Sequence, residues 1–341
     1  MLKPFDITII IPLYNKENYV SAAIESVLGQ DTSYKYKIII ADDCSTDGSL
    51  KIVERYAKQN PDIFTILYSE KNQKLYRNVI RAYALLDTPY FCVLDPDDYW
   101  LREDHIEKAL DFLSSHEDYT IYSTEIQTLD ANGATAKCGF PAEARDSDFA
   151  DYLNGRAVIA FTQTCVYRNV VFSGGVPRRM EELDSGIKEK TFRGDSFRNF
   201  IHIKAGKARY EPDVDGCYRL TDAGVYQGLD SVGRYLLNAQ LFADFWRYDH
   251  GSHYGLLLKS YELFASAKSS LLTGTGEVCF DGVRLGNVVR EMHALDALFK
   301  TERENMIKAW KLRLPLRKRI VYRLFEKSLR KEFMRFGGVV W

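Results

Sequence analysis

Along the first hundred residues, short apolar runs take turns with stretches whose apolar positions recur three and four apart. Ile7-Thr8-Ile9-Ile10-Ile11 is nearly unbroken and β-branched, the pattern of a central strand covered on both faces. Pro12 ends it. Val20, Ala23, Ile24, Val27 and Leu28 then fall on one helical face, with Asn15 or Asn18 as the expected cap and Gly29 as the stop. A second strand, Lys37 to Ala41, runs into Asp42-Asp43-Cys44-Ser45-Thr46-Asp47-Gly48 and a helix carrying Leu50, Ile52, Val53, Tyr56 and Ala57. Phe64 to Tyr68 is the third strand, and Lys74, Arg77 and Asn78 open the next helix. Tyr90 to Leu94 is the fourth strand. This alternation predicts an α/β fold with a doubly wound, mostly parallel, Rossmann-like sheet.

The fourth strand stops at Asp95-Pro96-Asp97-Asp98, because Pro96 offers no N–H to a sheet. Three carboxylates are left at the carboxyl end of a strand, where open α/β sheets place their ligands. Hard oxygens at this spacing suit Mg²⁺ or Mn²⁺ bridging to phosphates. The same turn is also compatible with a solvated loop before a helix, with Asp104 capping Ile106, Ala109, Leu110 and Leu113.

Farther on, Tyr119 to Thr128 alternates as a strand, Gly133 to Ser147 reads as a loop, and Ile159 to Tyr167 reads as another strand. Pro177 to Arg193 is charged and aperiodic and reads as a mobile loop. Asp195 precedes a helix with Phe197, Phe200 and Ile201 on one face, ended by Gly206. As a plain N-cap Asp195 needs no other role. Tyr210-Glu211-Pro212 and Gly216 to Leu220 read as closing strands. From about Val225 the pattern turns helical, which gives two regions, residues 1–225 and 226–341.

Composition narrows the class. Hydrophobic residues make up 46% of 341, enough for a sizeable core. Six scattered cysteines without a C-x-x-C pair argue against a zinc site or a disulfide framework. His250 and His253 lie close together, with no third ligand in view. No run approaches a membrane span, and Asp6 and Pro12 interrupt any signal-peptide core, so a cytoplasmic protein is expected. A net charge of −1 gives no footprint for nucleic acid. The charge is uneven, however. Lys308 to Arg335 holds eleven Lys or Arg against Glu326 and Glu332, a local +9 that leaves −10 on the rest. Beyond Pro315, Leu316, Ile320, Val321, Leu324, Phe325, Leu329, Phe333 and Phe336 keep to one helical face. A basic amphipathic end of this kind, residues 308–341, suits peripheral contact with an anionic membrane on its cytoplasmic face or packing in a core.

Neither a G-x-G-x-x-G nor a G-x-x-x-x-G-K-[ST] follows a strand, which disfavours dinucleotide-binding and P-loop domains. Ile9-Ile10-Ile11-Pro12-Leu13-Tyr14-Asn15, Ala41 to Gly48 and Leu94-Asp95-Pro96-Asp97-Asp98, in that order and spacing, closely resemble the family-two inverting glycosyltransferases of GT-A fold. The resemblance runs from about Ile7 to Arg219. It implies that Pro12, Leu13 and Tyr14 line a uracil pocket and that Asp43 hydrogen-bonds the base. Arg77 is implied to sit near the nucleotide, Asp95 to face ribose or metal, and Asp97 to bind Mn²⁺ or Mg²⁺ on the diphosphate. Asp195 would be the catalytic base. The chain departs from the family in Gly194, where many members have Glu, and in lacking a glycine within Gln73-Lys74-Leu75-Tyr76. Thr221-Asp222-Ala223-Gly224 also lacks the histidine found in many relatives. The implied activity is metal-dependent, inverting sugar transfer from a UDP-sugar to a saccharide or lipid-linked saccharide acceptor, in cell-surface polysaccharide or glycolipid synthesis. A non-catalytic module that binds nucleotide-sugars or glycans is the alternative.

Overall fold

The computed structural model describes residues 5–178, 180, 194–220, 231–273 and 282–313, with side chains left aside for 271–291 and 308–313. Its contacts divide the chain into two units, Met1–Asp222 and Ala223–Trp341. The first is built on strands β1 (Ile7–Leu13), β2 (Tyr36–Asp42), β3 (Phe64–Leu67) and β4 (Tyr90–Val93), all parallel. Helices α1 (Val20–Leu28), α2 (Ser49–Gln59) and α3 (Lys74–Tyr83) connect them. β1 is buried along its whole length, as its unbroken apolar run requires.

Beyond β4 come β5 (Tyr99–Trp100), α4 (His105–Ser115), β6 (Tyr119–Leu129), β7 (Thr135–Lys137), β8 (Arg145–Ser147), α5 (Phe149–Leu153) and β9 (Val166–Arg168). Helix α6 (Gly194–Ala205) and strand β10 (Lys207–Arg219) follow. Among the described residues the sheet runs β3-β2-β1-β4-β9-β6-β10-β5, with β7 on β6 and β8 on β10. β9 lies antiparallel between β4 and β6, whereas β6 and β10 are parallel. Isoleucines of β1 and β2 pack under α1 and α4 with Val20, Ile24, Ile106 and Leu110 in one core.

Several sequence expectations are revised. The stretch read as loop, 133–147, contains β7 and β8, short exposed strands whose polar residues give no alternation to detect. The strand expected over 159–167 shrinks to Val166–Arg168, because Thr162–Thr164 forms a 3-10 turn. The two expected closing strands are one: β10 passes through Pro212 by shifting register between Glu211 and Val214, the kind of irregularity that lets proline sit in a strand. Asp104 occupies the cap position of α4 but makes no capping bond, since Arg102 holds its carboxylate at 2.9 and 2.8 Å. α1 is preceded by Tyr19, not capped by Asn15 or Asn18.

The second unit holds α7 (Ser231–Tyr248), α8 (Tyr254–Thr273) and α9 (Gly282–Arg313). Val232, Leu236, Ala239, Leu257, Phe264 and Phe299 form its own core. None of the described helices is long and apolar enough to cross a membrane.

Gly216 of β10 lies against the 3-10 turn. A Cβ there would stand 2.6 Å from Thr164 Cγ2 and 3.2 Å from Ile126 Cγ2. Gly216→Ala is therefore expected to lower stability by about 1–3 kcal/mol through overpacking. Urea unfolding reads this directly, and an unchanged midpoint would show that the turn yields without cost.

Candidate active site

The loops after β1 and β2 are stitched together by polar side chains rather than by a helix cap. Asn15, at φ +50°, accepts the Thr46 N–H on Oδ1 at 2.8 Å, and its own N–H reaches Ser45 Oγ at 3.1 Å. Lys16 N donates to Ser49 Oγ at 2.7 Å, and Glu17 Oε2 accepts from Gly48 N at 2.6 Å. These bonds fix the first two motifs relative to each other. Leu13 is wholly buried, and its carbonyl accepts the Asp43 N–H at 2.8 Å. Pro12 beside it is buried too, whereas Tyr14 is 43% exposed.

Asp43 is buried and both its oxygens are engaged. They accept the backbone N–H groups of Gln73 at 2.7 Å and Lys74 at 2.8 Å, at the start of α3. Lys74 takes φ +73°. The left-handed turn that a glycine would make at ease is thus present without one, held by the Asp43 clamp. Arg77, one turn on, is exposed.

The acidic turn closes on itself through Asp98 N to Asp95 O at 3.0 Å. Lys16, from the loop after β1, sets its ammonium 2.5 Å from Asp97 Oδ2. Arg219, the last residue of β10, donates its backbone N–H to Asp98 Oδ1 and its guanidinium to the Asp97 carbonyl, both at 3.0 Å. Its guanidinium also lies over the Tyr99 ring, 4.7 Å from the centroid.

The turn meets α6 here. Asp95 is pushed up to about 7, first by burial, then by the neighbouring charges of Asp97 and Asp195, against the pull of Arg198 and Lys16. Burial and Asp95 likewise raise Asp98 well above the usual carboxylate range. Residues a hundred positions apart, Asp95–Asp97 and Asp195, therefore share one electrostatic site. Arg198, one turn after Asp195, is its buried cation: Nη1 donates to Tyr83 Oη at 2.7 Å and Nη2 to Thr162 Oγ1 at 3.2 Å. The guanidinium lies 5.0 Å from the Tyr167 ring centroid.

Lys16 and Arg198 were not singled out from the sequence. Arg198 had one available signal, its i+3 spacing from Asp195, which puts both on the same helix face. Among the described residues no three His, Cys, Asp or Glu side chains converge as a metal cage. Asp95 and Asp97 nonetheless fit a hard divalent ion in part, because their mutual repulsion is what such an ion relieves and a diphosphate can supply the other oxygens. The loop Pro177–Arg193, apart from residues 177, 178 and 180, and Thr221–Gly224 lie outside the described residues.

Carboxylates and cations gather beyond the carboxyl ends of parallel strands, where open α/β sheets place their ligands. Residues 8–156 match the family described as Glycosyl transferase family 2, and this domain belongs to that family. The poly(ribitol-phosphate) beta-N-acetylglucosaminyltransferase TarS of Staphylococcus aureus is 26% identical over 208 residues, 60% of this chain and 35% of TarS. An uncharacterized protein of Mycobacterium tuberculosis is 24% identical over 213 residues, 62% of this chain and 58% of that protein. The minor teichoic acid biosynthesis protein GgaB of Bacillus subtilis is 34% identical over 116 residues, 33% of this chain and 12% of GgaB. The chain thus spans well under two thirds of these relatives' lengths. The crystal structure of TarS 1-349 in complex with UDP-GlcNAc superposes with a TM-score of 0.56 at 17% identity, over 76% of this chain and 73% of that one. The shared fold is GT-A.

Asp43→Ala removes both acceptors at the start of α3. Leaving those N–H groups without their buried partner is expected to cost about 1–3 kcal/mol even with no nucleotide present. Denaturation of the nucleotide-free protein checks it, and a carboxylate reserved for a base alone would leave that stability unchanged.

Proposed function

We propose that the protein is a glycosyltransferase that moves a sugar from a UDP-sugar to a glycan or lipid-linked acceptor during synthesis of a cell-surface polymer. The observation that carries this is the convergence of Asp195 with the Asp95–Asp97 turn at the strand ends. The name of TarS supports transfer onto a polymer, and the UDP-GlcNAc of its crystal structure supports a UDP-linked donor.

In this reading Pro12, Leu13 and Tyr14 border the base, and Asp43 and Arg77 lie on the nucleotide side. Lys16 and Arg219 offer positive charge to the diphosphate. Asp95 and Asp97 would hold Mn²⁺ or Mg²⁺, which when bound neutralises charge on the departing diphosphate. Asp195 takes the proton of the acceptor hydroxyl. That oxygen forms its bond to the anomeric carbon as the bond to phosphate breaks and its electron pair leaves with UDP. Attack opposite the leaving group inverts the anomeric configuration. Arg198 keeps a positive charge beside the carboxylates and pulls Asp95 down against its burial.

Two substitutions separate the roles. Asp97→Asn is expected to abolish transfer and to weaken UDP binding in Mn²⁺ far more than in EDTA, read by calorimetry. Unchanged metal dependence would remove Asp97 from the ligand set. Asp195→Asn is expected to leave UDP binding nearly intact while turnover collapses. Lost UDP affinity with normal turnover at saturation would refute the role, and a binding module without catalysis would show no turnover in either form.

Peripheral attachment to the cytoplasmic face of a membrane rests on the charge pattern of residues 308–341, whose side chains lie outside the described residues. Full-length protein is expected to co-sediment with anionic vesicles at low salt and to be released at high salt. Equal solubility of full-length protein and a chain ending near Lys300 would leave those residues without a membrane role.

A further inference from the structure

Beside the acidic turn, three segments bring aromatic rings to the surface. Phe161, just before the 3-10 turn, is 44% exposed. Its ring is nearly parallel to that of Tyr218 near the end of β10, at 6° with centroids 5.8 Å apart. Phe140, from the segment after β7, meets Phe161 edge-on at 5.7 Å and 83°. Phe140 and Tyr218 are each only partly covered. None of the three belongs to the main core cluster of the first unit.

The position of this patch is what gives it meaning. Tyr218 directly precedes Arg219, which holds Asp97 and Asp98 by two hydrogen bonds. β10 also pairs with β5 here, Cys217 lying opposite Tyr99, the residue that directly follows the acidic turn. On the other side, Phe161 directly precedes Thr162, whose hydroxyl accepts from Arg198 on the helix turn that carries Asp195. The 3-10 turn that follows Phe161 is fixed as well, since Trp100 Nε1 donates to the Gln163 carbonyl at 2.6 Å. The stacked rings thus form an apolar shelf tied at one end to the acidic turn and at the other to Arg198, one helical turn from Asp195.

The chemistry of an occupant follows from this setting. A pyranose ring presents C–H groups on its face and hydroxyls around its edge. Laid on an aromatic ring, it removes apolar area from water while its hydroxyls stay hydrogen-bonded. The nearby carboxylates disfavour an anionic unit, so the ring on the shelf is neutral. We propose that Phe161 and Tyr218 form an acceptor subsite on which a neutral pyranose ring stacks, with one of its hydroxyls turned toward Asp195. This deepens the transferase reading of the preceding subsection and rests on it.

Saturation-transfer NMR on the full chain, loaded with UDP and diamagnetic Mg²⁺, tests the subsite without relying on turnover. The probes are methyl β-glucopyranoside, its N-acetylglucosamine counterpart, and glycerol as an acyclic control. Ring C–H signals are expected from both pyranosides and none from glycerol. Phe161→Ala should weaken pyranoside binding about tenfold or more while UDP binding stays unchanged, and Phe161→Trp should restore it. Absence of pyranoside binding to the wild type, while UDP binds, overturns the subsite alone. Failure of UDP itself to bind overturns the nucleotide-sugar reading beneath it. Equal loss of UDP and pyranoside in Phe161→Ala would show that Phe161 only supports the fold, and this too overturns the proposal.

Discussion

The first unit depends on keeping four carboxylates, Asp95, Asp97, Asp98 and Asp195, close together at one end of a sheet. Like charges at this range repel strongly where water is scarce. Three cations from three different elements answer them: Lys16 after β1, Arg198 on α6 and Arg219 at the end of β10. Each is itself supported. Lys16 is fixed by Ser49, Arg198 by Tyr83 and Thr162, and Arg219 by the face of Tyr99. The site is therefore a balance of charges distributed over the whole sheet, and no single loop carries it.

The loops that meet there show the same logic at the backbone. Asn15, Glu17 and Asp43 spend their side chains on N–H groups of neighbouring loops. Such bonds give irregular segments the partners that strands and helices obtain from their own ladders. Asp43, proposed to lie on the nucleotide side, is also one of the residues that hold the loops in shape. Disturbing one motif is bound to move another.

Much of the parallel half was legible from the sequence, because buried strands and amphipathic helices write their periods plainly. β1, β2 and β4 are continuous apolar runs, and α1, α2 and α4 bury one face. The edge of the sheet was less legible. β7 and β8 are three-residue, mostly exposed strands that exist through pairing with β6 and β10, and pairing has no local signature. β10 was split in two by its own Pro212, since a register shift reads as a break. In the site, the acidic turn and Asp195 stood out as motifs. Lys16 and Arg198 did not, because their roles come from what lies opposite them in space.

β10 also makes the spacing of its own last residues consequential. It begins right after the helix that carries Asp195 and ends on the residue that clasps the acidic turn. Because successive strand residues face opposite sides, one residue gained or lost after Gly216 would exchange the positions of Tyr218 and Arg219. The aromatic shelf would then turn inward and the clasp outward. The count of residues in the last turn of its pleat is therefore as much a part of the site as any side chain there.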